Sequence, residues 1–281
     1  MDQSSRRGFL KRATALLPAS RLAFSDPLQK DNLGVQLYTV RKIIGQNPAG
    51  VLKSIQQIGY AEVEAIYSTL NQIWPALQQT NLRAVSVHAG LTELQKPETL
   101  ATIKQHGFEY AVVPALPTNQ GPDTVQRIAE ALNKLGEQTK TQGITLCYHN
   151  HAHDFQPMNG TTALEMLLNK TQKDLVHLEM DVFWVSVAGH DPASLLKQFS
   201  GRVPLVHLKD KAQGVPVQYA ERVPASAFVS VGSGTINFSA VLKAADGAGV
   251  KHYFVEQDQT PGDPLTALRS SYNYLKQYFR K

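Results

Sequence analysis

The 281-residue chain has a single cysteine, Cys147, so no intramolecular disulfide can form and a thiolate zinc or iron–sulfur site is excluded. It lacks any uninterrupted run of about 18 apolar residues, so no segment reads as a membrane span and no stable membrane association is expected. Glycine (19) and proline (15) are too sparse for a low-complexity chain, and a hydrophobic content of 42% is too high for a disordered one. A strong excess of one charge is missing as well. The formal net charge is only +5, and most of it sits in residues 1–25, around Arg6, Arg7 and Lys11. The remainder is close to neutral, which argues against a polyanion-binding face and hence against a nucleic-acid partner. The length suits two small domains or one large α/β barrel.

Ser5-Arg6-Arg7-Gly8-Phe9-Leu10-Lys11 precedes a weakly apolar run that ends near Leu17. A positive segment before a short apolar one reads as a removable address, and this one resembles the twin-arginine export motif. Residues 1–25 are therefore expected to form a leader, and the protein to be periplasmic or secreted. The alternative is a disordered basic N-terminus on a cytoplasmic protein.

From residue 33 the chain alternates β-rich runs with amphipathic stretches. Strands are expected at 34–38, 61–65, 84–88, 110–114, 144–149, 176–181, 205–209 and 253–256. Helices are expected at 49–58, 70–79, 98–106, 123–141, 162–171, 192–199, 239–248 and 264–279. Asp191-Pro192 and Asp263-Pro264 place an N-cap before a first-turn proline, and Gly59, Gly107, Gly143 and Gly201 fall where helices must stop. Eight βα units favour closure into a (β/α)₈ TIM barrel, a single domain over residues 30–281. An open doubly wound sheet is the rival, but no strand is followed by a G-x-G-x-x-G or P-loop pattern.

Active sites of such barrels lie at the C-terminal strand ends, and polar residues gather there. The first strand brings Gln36 and Tyr38, the second Glu64, the third Ser86 and His88, and the fifth His149 and, just beyond, His151. The sixth brings Glu179 and Asp181, the seventh His207 and Lys209, and the eighth Glu256 and then Asp258. Many are spaced by two and so share one face of their strand. Asp181, His207 and Glu256, with His149 or His151 as a fourth donor, form an oxygen–nitrogen set suited to Mn, Co, Mg, Fe or Zn as the divalent metal. Taken singly, each has a duller reading: a strand-end His as a rim residue, an Asp as a helix cap. His106, His190, His252 and His153 read as surface or rim residues, and Cys147 as apolar packing without an activating partner. Gly232-Ser233-Gly234 reads as a turn in preference to an anion-binding loop.

These residues resemble the xylose isomerase-like TIM-barrel superfamily, often labelled sugar phosphate isomerase/epimerase. The resemblance runs from Gly34 to the C-terminus and is carried by Gly34-Val35-Gln36-Leu37-Tyr38, Tyr148-His149-Asn150-His151, Glu179-Met180-Asp181, His207-Leu208-Lys209-Asp210, Gly232-Ser233-Gly234 and Val255-Glu256. It implies a divalent metal held by carboxylates and His, with Asp181, His207 and Glu256 matching three of four positions. At the fourth, the superfamily's strand-5 Glu is His149 here, which puts its two-carboxylate proton relay in doubt. Endonuclease IV, on the same barrel, has a strand-6 Asp-x-x-His; here the last position is Trp184.

The expected activity is that of a metal-dependent isomerase or epimerase of a small sugar, keto-sugar or glycoside. Glu256, or His149 from the opposite face, would remove a proton beside a carbonyl, with Lys209 either aiding the enediolate or serving as a buried partner of Glu179. Gln36, Tyr38, Glu64, His88 and His151 would hold sugar hydroxyls, and Trp184 would either offer an apolar face to a sugar ring or pack in the core. The other expectations are a lyase or hydratase acting on a 3-keto-glycoside, and a barrel that binds metal and sugar without turnover. The small carbohydrate is the expected partner, and a homo-oligomer is left open.

Overall fold

In the computed structural model, which describes residues 28–29, 32–118 and 121–280, eight parallel strands close into one barrel. They are β1 (Leu33–Gln36), β2 (Glu62–Ile66), β3 (Arg83–His88), β4 (Tyr110–Val113), β5 (Thr145–His149), β6 (Val176–Asp181), β7 (Leu205–Leu208) and β8 (His252–Val255). Each pairs with its neighbours in sequence, and β8 pairs with β1 to complete the ring. Around it run α1 (Pro48–Ile58), α2 (Leu70–Leu77), α3 (Pro97–Gln105), α4 (Pro122–Thr141), α5 (Ala163–Lys170), α6 (Pro192–Gln198), α7 (Phe238–Ala248) and α8 (Pro264–Leu275). The (β/α)₈ expectation therefore holds for a single domain, while the expected leader lies outside the described residues.

Alternation within the strands explains how one sequence builds two cores. Val35, Val63, Leu146, Leu178 and Val206 are fully buried in the main apolar core, as residues facing the helices should be. The intervening positions contribute a smaller apolar cluster of Val85, Tyr110, Val112, Cys147, Leu205 and Phe254, and the polar residues described below. Gly34 belongs to this crowded interior: a Cβ there would come within 2.7 Å of Phe254 and 2.9 Å of Glu62.

The helix signals act as their chemistry requires. Asp191 caps α6 by accepting from the amides of Ala193 and Ser194, and Asp263 caps α8 through Leu265 and Thr266. Gly59, Gly107, Gly143 and Gly201 all adopt positive φ just after a helix or its last turn.

Three elements depart from expectation. The first strand stops at Gln36, whose side-chain oxygen accepts from the Tyr38 amide at 3.0 Å and starts a 3-10 turn over Leu37–Val40. Tyr38 is therefore on a turn and not on a strand. Asp181 caps an additional short helix, Val182–Val187, through the amides of Phe183 and Trp184. At the C-terminus α8 ends at Leu275, and Phe279–Arg280 pairs in parallel with Leu28–Gln29. Among the described residues, no helix is long and apolar enough to cross a membrane.

Candidate active site

Strand ends converge at the C-terminal mouth in two tiers. The outer tier holds Asp181, Glu256, Lys209 and Asp258. The Lys209 ammonium lies 2.9 Å from Asp181 Oδ2, 2.8 Å from Glu256 Oε2 and 2.8 Å from Asp258 Oδ1. The inner tier holds Glu64, Glu179 and His88, where His88 Nε2 is 3.0 Å from Glu64 Oε2 and 2.7 Å from Glu179 Oε2. Gln36 and Ser86 donate to the two oxygens of Glu64 at 2.7 and 2.6 Å.

Two imidazoles join the tiers. His207 directs Nε2 inward to Glu64 at 2.5 Å and Nδ1 outward to Glu256 at 2.8 Å, with Asp181 Oδ2 at 4.0 Å. His149 directs Nδ1 inward to Glu179 at 3.0 Å and Nε2 outward to Asp181 Oδ2 at 3.4 Å. Each ring thus has one nitrogen on an inner carboxylate and the other towards the mouth, an arrangement that fixes ring orientation for ligation.

The electrostatics follow from burial and neighbours. Burial opposes charge on His88, but the Glu64 and Glu179 carboxylates outweigh it and lift its pKa to about 9. His207 is also raised, against burial, by Glu179 and Glu64. Burial pushes His149 down, reinforced by His207. Burial and Lys209 together hold His151 at about 3, so both are neutral imidazoles near neutral pH. Burial would raise Glu256, yet Lys209 and His207 bring it to about 2. Asp258 rises to about 6 through burial, with Lys209 pulling the other way.

The mouth opens into a cavity of about 760 Å³. Of the residues expected in the site, Tyr38, His88, His149, His151, Lys209 and Glu256 line it. Asp181 and His207 lie directly behind, within reach of Glu256. Gln36 and Glu64 do not line it; both are fully buried in or beneath the inner tier, out of reach of a sugar hydroxyl. Trp184 is 2% exposed and packs against His151, Phe183 and Phe228, again off the cavity wall.

Other residues occupy places their sequence did not announce. His252, expected at the rim, is buried at the opposite end of the barrel with Nδ1 2.8 Å from Glu62. His153 is buried in the turn Ala152–Phe155, with Nδ1 3.0 Å from Glu221. Glu179, offered by the sequence as a partner for Lys209, pairs instead with His149 and His88, while Lys209 meets Asp181, Glu256 and Asp258; its spacing of two from Asp181 was the signal for this inner place. The Gly232–Gly234 turn wraps the Asp210 carboxylate, which accepts from the amides of Gly232, Gly234 and Ile236. That nest already holds the chain's own anion.

The donor set fits a divalent cation. One ligating atom from each of Asp181, His207 and Glu256 lies within 4.8 Å of the others, all three residues are buried, and His149 Nε2 faces the same Asp181 oxygen. Carboxylate oxygens with imidazole nitrogens and no thiolate suit a catalytic ion with open positions in preference to a closed structural one. Lys209 is the cation that holds the Asp181 and Glu256 oxygens in this structure.

Comparison with known proteins agrees with this architecture. A family model described as Xylose isomerase-like TIM barrel matches residues 52–278. An inosose dehydratase of Clostridium perfringens is 31% identical over 160 residues, which is 53% of each chain, so the match spans about half the length of that relative. Among solved structures, a sugar phosphate isomerase/epimerase from Parabacteroides distasonis superposes with a TM-score of 0.71 at 23% identity, covering 92% of this chain and 98% of the other. A 3-keto-D-glucoside 4-epimerase from E. coli gives a TM-score of 0.62 at 17% identity, covering 88% and 99%. At these identities the solved structures speak for the fold alone.

Proposed function

Because the chain belongs to the xylose isomerase-like TIM-barrel family, we propose that it is a metal-dependent lyase that dehydrates a cyclic keto-sugar or keto-cyclitol. The observation that carries this reading is the pairing of Glu256 with Lys209 at the cavity wall, a carboxylate 2.8 Å from an ammonium. An elimination needs a base for the C–H beside the carbonyl and an acid for the departing β-hydroxyl. The name of the relative matched over about half its length, an inosose dehydratase, supports the same class.

Asp181, His207, Glu256 and His149 would hold the ion, which would supply Lewis acidity at the substrate carbonyl and so make the adjacent C–H acidic. Glu256 takes that proton. The C–H pair becomes the new C=C bond, the β C–O bond breaks, and Lys209 delivers a proton so that the hydroxyl leaves as water. Asp258, 2.8 Å from the ammonium, steadies Lys209 for that transfer. His151, kept neutral, hydrogen-bonds a substrate hydroxyl. Glu64 and Glu179, out of reach of substrate, orient His207 and His149.

A second reading, isomerisation or epimerisation, is favoured by one observation: His149 also lines the cavity and carries a neutral ring. With the ion on Asp181, His207 and Glu256 alone, the free Nε2 of His149 would take the α-proton in place of Glu256, and the imidazolium so formed would return it to the neighbouring carbon, leaving the hydroxyl in place. The twin-arginine-like motif, read as an export signal, favours an unphosphorylated substrate on either reading. Incubation with a keto-cyclitol in D₂O, followed by NMR and ultraviolet absorbance, separates the two. A dehydratase yields a conjugated enone; an epimerase yields deuterium at the α-carbon with no enone. Neither signal, in metal-loaded protein, would reject proton abstraction altogether.

A further inference from the structure

The end of the barrel away from the active site carries its own cavity, of about 230 Å³, at the starts of β4, β5 and β6 beside the turns that lead into β7 and β8. Four polar side chains line it: Tyr110, Thr145, His177 and Lys251. Each brings a polar atom that the described residues leave unpaired. His177 Nδ1 is buried without a hydrogen-bond partner. Among the described residues, the hydroxyls of Tyr110 and Thr145 and the exposed Lys251 ammonium have no hydrogen bond or ion pair either. Tyr110 is only 9% exposed, and burial pushes its phenol above the usual pKa, so it remains an O–H donor. Burial, with Arg202 nearby, lowers His177, so its neutral ring can give or accept a hydrogen bond. The backbone amides of Thr145 and Lys251 are already given to the carbonyls of Glu109 and Pro204. Recognition there falls to side chains.

The charge around this cavity is opposite in sign to that at the mouth. No carboxylate lines it; Glu109 and Glu62 act on the Tyr110 phenol from outside the lining. Glu62 is closed off by Arg83 and His252, and Asp174 is paired with Lys140. Arg202, buried near His177, gives its terminal NH groups to the carbonyls of Leu168 and Val176 and to the Thr171 hydroxyl. It meets no carboxylate, and its Nε is unpaired. Two cations without a counter-charge, beside partnerless donors in a hollow, are complementary to an anion. We propose that this cavity binds a small oxyanion, with Lys251 supplying the charge and Tyr110, Thr145 and His177 the hydrogen bonds. The anion joins the starts of three strands to the turn before β8, and so stabilises the folded barrel by mass action. The site is independent of the chemistry at the mouth.

Sodium phosphate, sulfate and acetate, titrated separately into the purified protein by calorimetry against sodium chloride at constant ionic strength, test this. One site that wild type and Asp181→Ala both retain is expected, since Asp181→Ala removes a metal ligand at the mouth only. Lys251→Met should weaken that site by about tenfold or more, and Tyr110→Phe by roughly three- to tenfold. Both variants should stay folded, because Lys251 is exposed and Phe keeps the ring that packs on His252. Preference for phosphate or sulfate assigns a tetrahedral ligand and preference for acetate a carboxylate; either sustains the proposal. No binding above the chloride background, an affinity untouched by both Lys251→Met and Tyr110→Phe, or complete loss of binding in Asp181→Ala would overturn it.

Discussion

The two ends of the barrel use the same side chains for different ends. On β2, Glu62 and Glu64 are separated by one residue, face the same interior and are both fully buried. At the N-terminal end Glu62 is met by Arg83 and by His252 Nδ1 at 2.8 Å, two basic partners for one carboxylate. At the C-terminal end Glu64 is one of five carboxylates, with Glu179, Asp181, Glu256 and Asp258, gathered around Lys209, His88 and His207. Burying unbalanced acid is costly, and only this end combines that surplus with a cavity of about 760 Å³; the pocket beside Tyr110 and His177 at the other end measures about 230 Å³. A buried Glu–His pair is structural where its charges close on themselves. It becomes a candidate for chemistry where acid is left over and solvent can enter.

That contrast can be broken most decisively at the mouth. Glu256→Gln should lower turnover by on the order of 10²–10⁴-fold, the usual worth of a positioned base, measured by the ultraviolet absorbance of the enone formed. Retained enone formation would take Glu256 out of the base role. A sharper comparison pairs Glu64→Gln with Glu62→Gln. The first should weaken metal binding roughly 10–100-fold, because the second nitrogen of His207 loses its carboxylate. The second should cost about 1–3 kcal/mol of stability for the lost charged contact and leave metal affinity unchanged, as read by denaturant melts and metal titration.

A smaller effect concerns pH. The folded pKa of His88 is about 9, above its usual 6.5, so the charged form is favoured by folding. Its contribution is full below the unfolded value and is lost as pH rises through 9. Stability should therefore fall by roughly 1–3 kcal/mol between pH 7 and 10, and His88→Gln should flatten that limb. Smallest of all, Cys147→Ala should leave activity unchanged and cost about 1 kcal/mol, since burial holds this thiol far above its usual pKa inside the barrel.

The architecture was legible because its signals are local. Alternating apolar residues, Asp-Pro caps and terminal glycines located eight strands and eight helices, with edges off by a few residues. Tyr38 and Val182–Val187 escaped because a side-chain cap, from Gln36 in one case and Asp181 in the other, ends a strand earlier or starts a helix within an apolar run. Gathering of the strand-end polar residues was also readable from the spacing of two. Depth was not. Whether Glu64 or Glu256 meets the cavity depends on how strands are staggered around the ring, which no single strand encodes. The pairing of His252 with Glu62, 190 positions apart, is hidden for the same reason.

Every proposed step requires the outer tier to grip a divalent ion. Elemental analysis of the purified protein, alongside Asp181→Ala and His207→Ala variants shown by circular dichroism to be folded, tests this directly. Divalent metal should be bound in the wild type and lost from both variants; equal metal content in all three, or none in the wild type after loading, would rule out a metal held by the outer tier.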